Sequence, residues 1–192
     1  MKNIEKWISE QILNSSDVFR SISETCTKEI LKATDEIIFA IDQGNKILWC
    51  GNGGSAGQAQ HLSTELVCGL RSHDRVALSS ISLTTDTSLI TAWANDTGFD
   101  TIFSRQIGAL GKPGDVLIAI STSGNSKNVV KAVKEAKKNN MVTIGFIGNQ
   151  ACELKEICDL NISIPSSDTQ RIQEGHILIG HIICEIVENK FL

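Results

Sequence analysis

Val116-Leu117-Ile118-Ala119-Ile120 is apolar at every position and is flanked by turn residues on both sides, so it reads as a short strand rather than a helix. An alternating strand leaves one face wet, whereas a continuously apolar one has to be covered on both faces. That strand is expected at about 115–120, and four others near 46–50, 77–83, 142–147 and 159–164. Between them stand segments of helical periodicity near 55–69, 86–94, 100–110, 126–140 and 150–157. Strand alternating with helix in this way dictates an α/β protein with a parallel sheet sheathed by helices. A last helix is expected from about Thr169 to Asn189.

The first forty-odd residues are helical in pattern. Ile4, Trp7, Ile8, Ile12 and Leu13 share one face, and a longer run from about Asp17 to Asp42 aligns Ile30, Ala33, Ile37, Ile38 and Ile41. Gly44 follows at the position where a left-handed residue ends a helix. Residues 1–44 are therefore expected as a helical extension packing on the domain or on a partner subunit, with 1–192 forming one domain. Lys112-Pro113-Gly114-Asp115 reads as a turn before a strand, not as a linker.

Several classes are disfavoured at this level. With 18 basic and 22 acidic residues the net charge is -4, which gives no electrostatic footprint for nucleic acid or a membrane surface. No run of eighteen apolar residues occurs, and the charged, helically spaced N-terminus is no signal peptide. The six cysteines are scattered without a CxxC pair, as reduced and mostly buried thiols of a cytoplasmic protein would be.

Two of the strands run into loops of similar design. Gly51-Asn52-Gly53-Gly54-Ser55-Ala56-Gly57 follows the first, and Ser121-Thr122-Ser123-Gly124-Asn125-Ser126 follows the third. Small residues permit close backbone approach, hydroxyls donate, and each loop opens a helix whose N-terminus favours an anion. Open α/β sheets bind ligands along the carboxyl edge of their strands, where both loops fall. Ser121, Thr122, Ser123 and Ser126 are the candidates for a phosphate, with Ser126 at the N-cap of the next helix. Asn52, Gly53 and Gly54 would then face the rest of the ligand, and Ser55 adds a hydroxyl at the start of its helix. No Walker lysine or GxGxxG is present, so a nucleotide cofactor is not expected.

His61 and Glu65 lie four apart on the helix leaving the first loop, and therefore on one face. Near the C-terminus, Gln173, His176 and His181 fall on one amphipathic helix. Spacing does not choose between the two histidines. Gln173 and His181 are eight positions apart, about 12 Å along a helix axis, so either long side chains converge or two copies of the chain contribute. A carboxylate and an imidazole are what aldose–ketose isomerisation needs: one moves a proton between adjacent carbons, the other between their oxygens. A metal held by such groups would polarise the carbonyl, and two imidazoles with a carboxylate suit zinc.

Cys50 to His61, Ser79 to Asp86, Ala94 to Asp100, Phe103 to Gln106, Ile120 to Ser126 and Arg171 to Glu174 together resemble the sedoheptulose-7-phosphate isomerase (phosphoheptose isomerase) family of the sugar isomerase (SIS) domain superfamily. The resemblance covers nearly the whole chain, in order. It implies a three-layer α/β/α sandwich on a five-stranded parallel sheet, flavodoxin-like, and a cytoplasmic homotetramer with sites at subunit interfaces. It also implies conversion of a phosphorylated seven-carbon sugar, sedoheptulose 7-phosphate, to D-glycero-D-manno-heptose 7-phosphate for bacterial lipopolysaccharide or capsule. Carried over by position, Glu65 is the base and His181, in preference to His176, the acid. Asn52, Gly53, Gly54, Asn95, Asp96, Ser121, Thr122, Ser123, Ser126 and Gln173 match substrate contacts, and His61, Glu65, Gln173 and His181 match ligands of one zinc ion per site.

Two positions depart from the family pattern. Glu65-Leu66-Val67-Cys68-Gly69-Leu70-Arg71 has one residue more before its arginine than the family's Glu-Leu-x-Gly-Arg, leaving Arg71 and Arg75 as rivals for that role. Thr97 stands where the family has an aromatic residue. The competing function is a non-catalytic SIS-domain protein that binds a replication initiator or another partner; such relatives lack the Glu and His that this chain keeps.

Overall fold

Every residue of β1 (Ile47–Gly51) and β3 (Val116–Ser121) is buried, as continuous apolar strands require. A computed structural model describes residues 2–192. It places these two strands side by side within a five-stranded, wholly parallel sheet of order β2-β1-β3-β4-β5, where β2 is Ser80–Ser82, β4 Val142–Gly148 and β5 Leu160–Ile164. Gly51 pairs with Ile120 in the register of β1 and β3, so the loops that follow leave the carboxyl edge next to each other.

Strand alternation divides the core in two. Ile47, Trp49, Val116, Ile118, Ile144 and Phe146 face one helical layer: α1 (Lys2–Thr25), α2 (Thr27–Asp42), α3 (Gly54–Cys68) and α8 (Thr169–Lys190). Leu48, Cys50, Leu117, Ala119 and Ile147 face the other: α4 (Thr87–Asp96), α5 (Ile102–Leu110), α6 (Lys127–Lys138) and α7 (Glu153–Ile157). Each fully buried Leu, Ile or Val contributes about 1.5–3 kcal/mol of transfer free energy. The three-layer sandwich and the parallel sheet expected from the sequence are thus present.

Two boundaries differ from the expected ones. β2 is only three residues long instead of spanning 77–83, because the Leu78 N–H is taken by the Leu66 carbonyl at the end of α3 and not by a neighbouring strand. The helix break expected ahead of Asp17 occurs instead at Cys26. Asn14-Ser15-Ser16 are weak helix formers, but the Ser15 hydroxyl donates to Glu174 at 2.7 Å, and Arg171 donates to the carbonyl of Gln11. These ties to α8 hold the turn helical. Beyond them, Ile4, Trp7, Ile8, Ile12 and Leu13 form an apolar face that is 47–65% exposed, uncovered by the rest of the chain.

α3 and α8 lie beside each other in parallel. A Cβ at Gly180 would strike the methyl groups of Leu62, so glycine permits their close approach. No helix among the described residues is long and apolar enough to cross a membrane.

Candidate active site

The first loop needs glycine for conformational reasons. Gly53 occupies the N-cap of α3 at φ 55 and ψ −120, a backbone conformation that side-chain-bearing residues rarely adopt. Gly54 is needed for space: a Cβ there would come within 2.5 Å of the Gln173 Nε2. The carboxamide of Gln173 therefore packs over the loop, and Gln58 fixes its main chain by donating to the Gln173 carbonyl at 2.6 Å. Ser55 is buried in the first turn against Gly51, so its side chain packs beneath the loop and is not presented to solvent.

In the second loop the hydroxyls converge. Ser121 Oγ is 3.1 Å from Ser126 Oγ and 3.5 Å from Ser123 Oγ. Gly124, at φ 65, donates its N–H to Ser121 Oγ, and Asn125 donates its N–H to Ser123 Oγ. Thr122 lies between them, half-buried. Ser126 holds the N-cap of α6 as expected, yet its hydroxyl makes no capping bond because it turns toward Ser121. The two loops are joined by Asn52 and Asn128, whose carboxamides exchange hydrogen bonds of 2.8 Å in both directions.

Seven residues past Gly54, about 10 Å along α3, stands the titratable cluster. His61 Nε2 is 3.1 Å from Glu65 Oε1 and 2.8 Å from His181 Nε2. The helical spacing of His61 and Glu65 and the parallel contact of α3 with α8 bring the three donor atoms within 4.8 Å of one another. They come from one chain. Two imidazoles and a carboxylate at such separations fit a divalent ion of the zinc type, so the donor chemistry agrees with the metal that the sequence suggests. Gln173, expected as a fourth ligand, is seated instead at the loop end of the same pair of helices, against Gly54.

His176 is separated from this cluster by burial. It is wholly buried against Phe146, bonded to the Ile147 carbonyl, and burial lowers its pKa to about 4 despite that bond. It is a core histidine. Between the two arginines, Arg75 is the buried one: it donates to the carbonyls of Glu65 and Leu66 and pairs with Glu188 at 3.0 Å, both side chains being 1% exposed. Burial would raise the Glu188 pKa, but N–H groups of Arg71 and Leu70, the Arg75 guanidinium and the Ser72 N–H hold it below the usual carboxylate range. Arg75 and Glu188 thus clasp the segment after α3 and fix the main chain at Glu65. Arg71 is exposed and pairs with Glu185 at 3.2 Å.

Asn95 and Asp96 end α4, exposed and bonded to each other at 2.8 Å. That helix packs on the 3₁₀ turn Phe99–Thr101 and on α5, and among the described residues neither side chain is hydrogen-bonded to either loop. Sequence reasoning did not single out Asn128, Gln58 or Glu188. Asn128 had a signal: it occupies the same helical stripe as Ala132 and Ala136, a polar residue at a core register.

Comparisons with known proteins give the family and the fold. The SIS domain family model matches residues 12–148. A phosphoheptose isomerase from Burkholderia pseudomallei is 45% identical over 193 residues, covering 99% of this chain and 98% of the relative. One from Clostridium acetobutylicum is 46% identical over 192 residues, covering 99% and 96%. Among solved structures, a phosphoheptose isomerase from Francisella tularensis superposes with a TM-score of 0.94 at 33% identity, covering 98% of this chain and 100% of that one. A phosphoheptose isomerase from Neisseria gonorrhoeae gives 0.92 at 36% identity, covering 97% and 99%. With a family model spanning most of the chain and relatives matched from end to end, this chain belongs to the SIS domain family and, within it, to the phosphoheptose isomerases.

Proposed function

We propose that this isomerase converts sedoheptulose 7-phosphate to D-glycero-D-manno-heptose 7-phosphate, supplying heptose for a bacterial surface polysaccharide. The observation that carries the reading is a separation. The acid–base cluster of His61, Glu65 and His181 stands about 10 Å along α3 from the glycine loop, to which the Asn52–Asn128 pair ties the serine loop suited to a phosphate. In the substrate, phosphate on C7 and the reacting pair C1 and C2 are likewise at opposite ends of an extended seven-carbon chain.

On this reading Ser121, Thr122, Ser123 and Ser126 bind the phosphate, while Asn52, Gly53, Gly54 and Gln173 line the path of the sugar. The Glu65 carboxylate removes a proton from C1 of the ketose, giving an enediol, and returns it to C2. His181 moves the balancing proton from O1 to O2. His61, Glu65 and His181, with Gln173 as the further candidate, would hold a zinc ion, which when bound supplies electrophilic polarisation of the carbonyl. The whole chain serves as one SIS domain with a helical extension, in the cytoplasm. Retention of both Glu65 and His181 in contact range disfavours the purely partner-binding alternative.

A homotetramer with shared sites is the proposed assembly. Two features support it: the exposed apolar face of α1, which is the kind of surface a second copy covers, and the exposed side chains of Asn95 and Asp96, bonded to each other and not to their own loops. The test of the activity is direct. Purified protein should interconvert the two heptose phosphates, and Glu65→Gln should lower kcat by about 10²–10⁴-fold while its melting temperature and substrate binding persist. Near-full turnover by that variant would refute the assignment of the base.

A further inference from the structure

We propose that Asn128 is a positioning residue that locks the sugar-facing loop to the serine loop, so that both ends of the substrate are read by one rigid unit. The inference rests on the phosphoheptose isomerase reading of this site. Asn52 belongs to the loop after β1 and Asn128 to the first turn of α6, yet each carboxamide donates to the other at 2.8 Å. Such a two-bond ring fixes the plane of both amides, which a single bond would leave free to rotate.

The pair alone has an ambiguity, because turning both amides over at once reproduces the same two bonds. The main chain removes it. The Val129 N–H donates to Asn128 Oδ1 at 3.0 Å, so Oδ1 of Asn128 must lie on that side and must face the Nδ2 of Asn52. Asn52 is left with one N–H and one oxygen lone pair beyond the ring, in a defined orientation and on a half-buried residue. Asn128 is 3% exposed, so water does not compete for its side of the ring. Its side chain acts on the ligand through Asn52 and does not touch it.

A merely structural asparagine, satisfying buried polar groups, would make a different prediction. The experiment measures kcat and KM for sedoheptulose 7-phosphate and the inhibition constant of inorganic phosphate on the full-length protein. The variants are Asn128→Leu, Asn52→Leu and their combination, with Asn128→Asp as a second probe that keeps the acceptor for Val129 but loses the donor to Asn52. We expect Asn128→Leu and Asn128→Asp to raise KM for the heptulose phosphate by about 10- to 100-fold. The inhibition constant of phosphate should change less than about twofold in Asn128→Leu, since the serine loop is untouched; Asn128→Asp, which adds a negative charge, is read on KM alone. Asn128→Leu should have no further effect once Asn52 is Leu. Additive losses in the double variant, or parallel losses of phosphate inhibition, KM and melting temperature, would overturn the proposal and leave the isomerase reading standing. Wild-type protein inactive on the heptulose phosphate would instead overturn that reading, and this inference with it.

Discussion

Acid tests the burial of His176, the core histidine of α8. His176 is fully buried, and its pKa of about 4 is set by burial, with the bond to the Ile147 carbonyl pulling weakly the other way. An unfolded histidine titrates near 6.5, so between pH 6.5 and 4 the unfolded chain binds a proton that the native chain refuses. Stability from this residue is therefore complete above pH 6.5 and is lost as pH falls toward 4. The full gap corresponds to about 3 kcal/mol, of which about 2 kcal/mol is gone by pH 5. His176→Gln keeps a donor for Ile147 and removes the titration; the other three histidines stay in both proteins and cancel in the comparison. Urea midpoints at fixed protein concentration, measured from pH 7.5 to 5, should fall by about 1 M more for wild type than for the variant. Curves that fall in parallel would mean that the residue is not held neutral in the core, and its separation from His181 would lose its basis.

Three further outcomes are expected. Exhaustive chelation should abolish turnover and zinc should restore it; turnover unaffected by chelation would reduce the ion to a bystander. Glu188→Ala leaves Arg75 buried without its partner and frees three main-chain N–H groups, a change of the class that costs about 3–5 kcal/mol, visible as a depressed melting temperature. Co-assembly of Glu65→Gln with His181→Ala chains should stay inactive, since both side chains serve the cluster of their own chain; co-assembly of Glu65→Gln with Asp96→Ala should recover activity where a neighbouring copy supplies the acidic residue.

The sheet was legible in the sequence because its central strands β1 and β3 are apolar almost throughout, a pattern that a doubly covered parallel sheet satisfies. The acid–base pair on α3 was legible because helical spacing is local: four residues fix a shared face whatever the rest of the chain does. His181 was legible only through the family resemblance, since the same helix offers His176 and the packing of α8 decides which one enters the core and which meets His61. The role of Arg75 was hidden for a similar reason. Its partner Glu188 is 113 residues away, and neither residue type advertises burial. Apolar Val67 on the same helix is 39% exposed, because it follows Leu66 by one position and so turns off the buried stripe.

The two loops are alike in composition, and the placement of their hydroxyls distinguishes them. At α3 the first turn takes up three of its own donors: Ser55 donates to the Asn52 carbonyl, and Ala56 and Gly57 to that of Gly53. α4 and α8 are capped by the carboxylates of Asp86 and Asp168, and Asn125 Oδ1 accepts from the first N–H of α7. α6 differs. Its N-cap serine has its hydroxyl turned to Ser121, Asn128 Oδ1 takes the N–H of Val129, and among the described residues no side chain or turn takes those of Lys127 and Asn128. Serine at an N-cap ordinarily contributes about 1 kcal/mol through the bond forgone here. A dianion at that end would receive the free N–H groups, the converged hydroxyls and the helix dipole together. This supports the serine loop as the phosphate cradle, and it leaves the glycine loop, whose one hydroxyl at Ser55 is buried beneath it, for the uncharged part of the sugar.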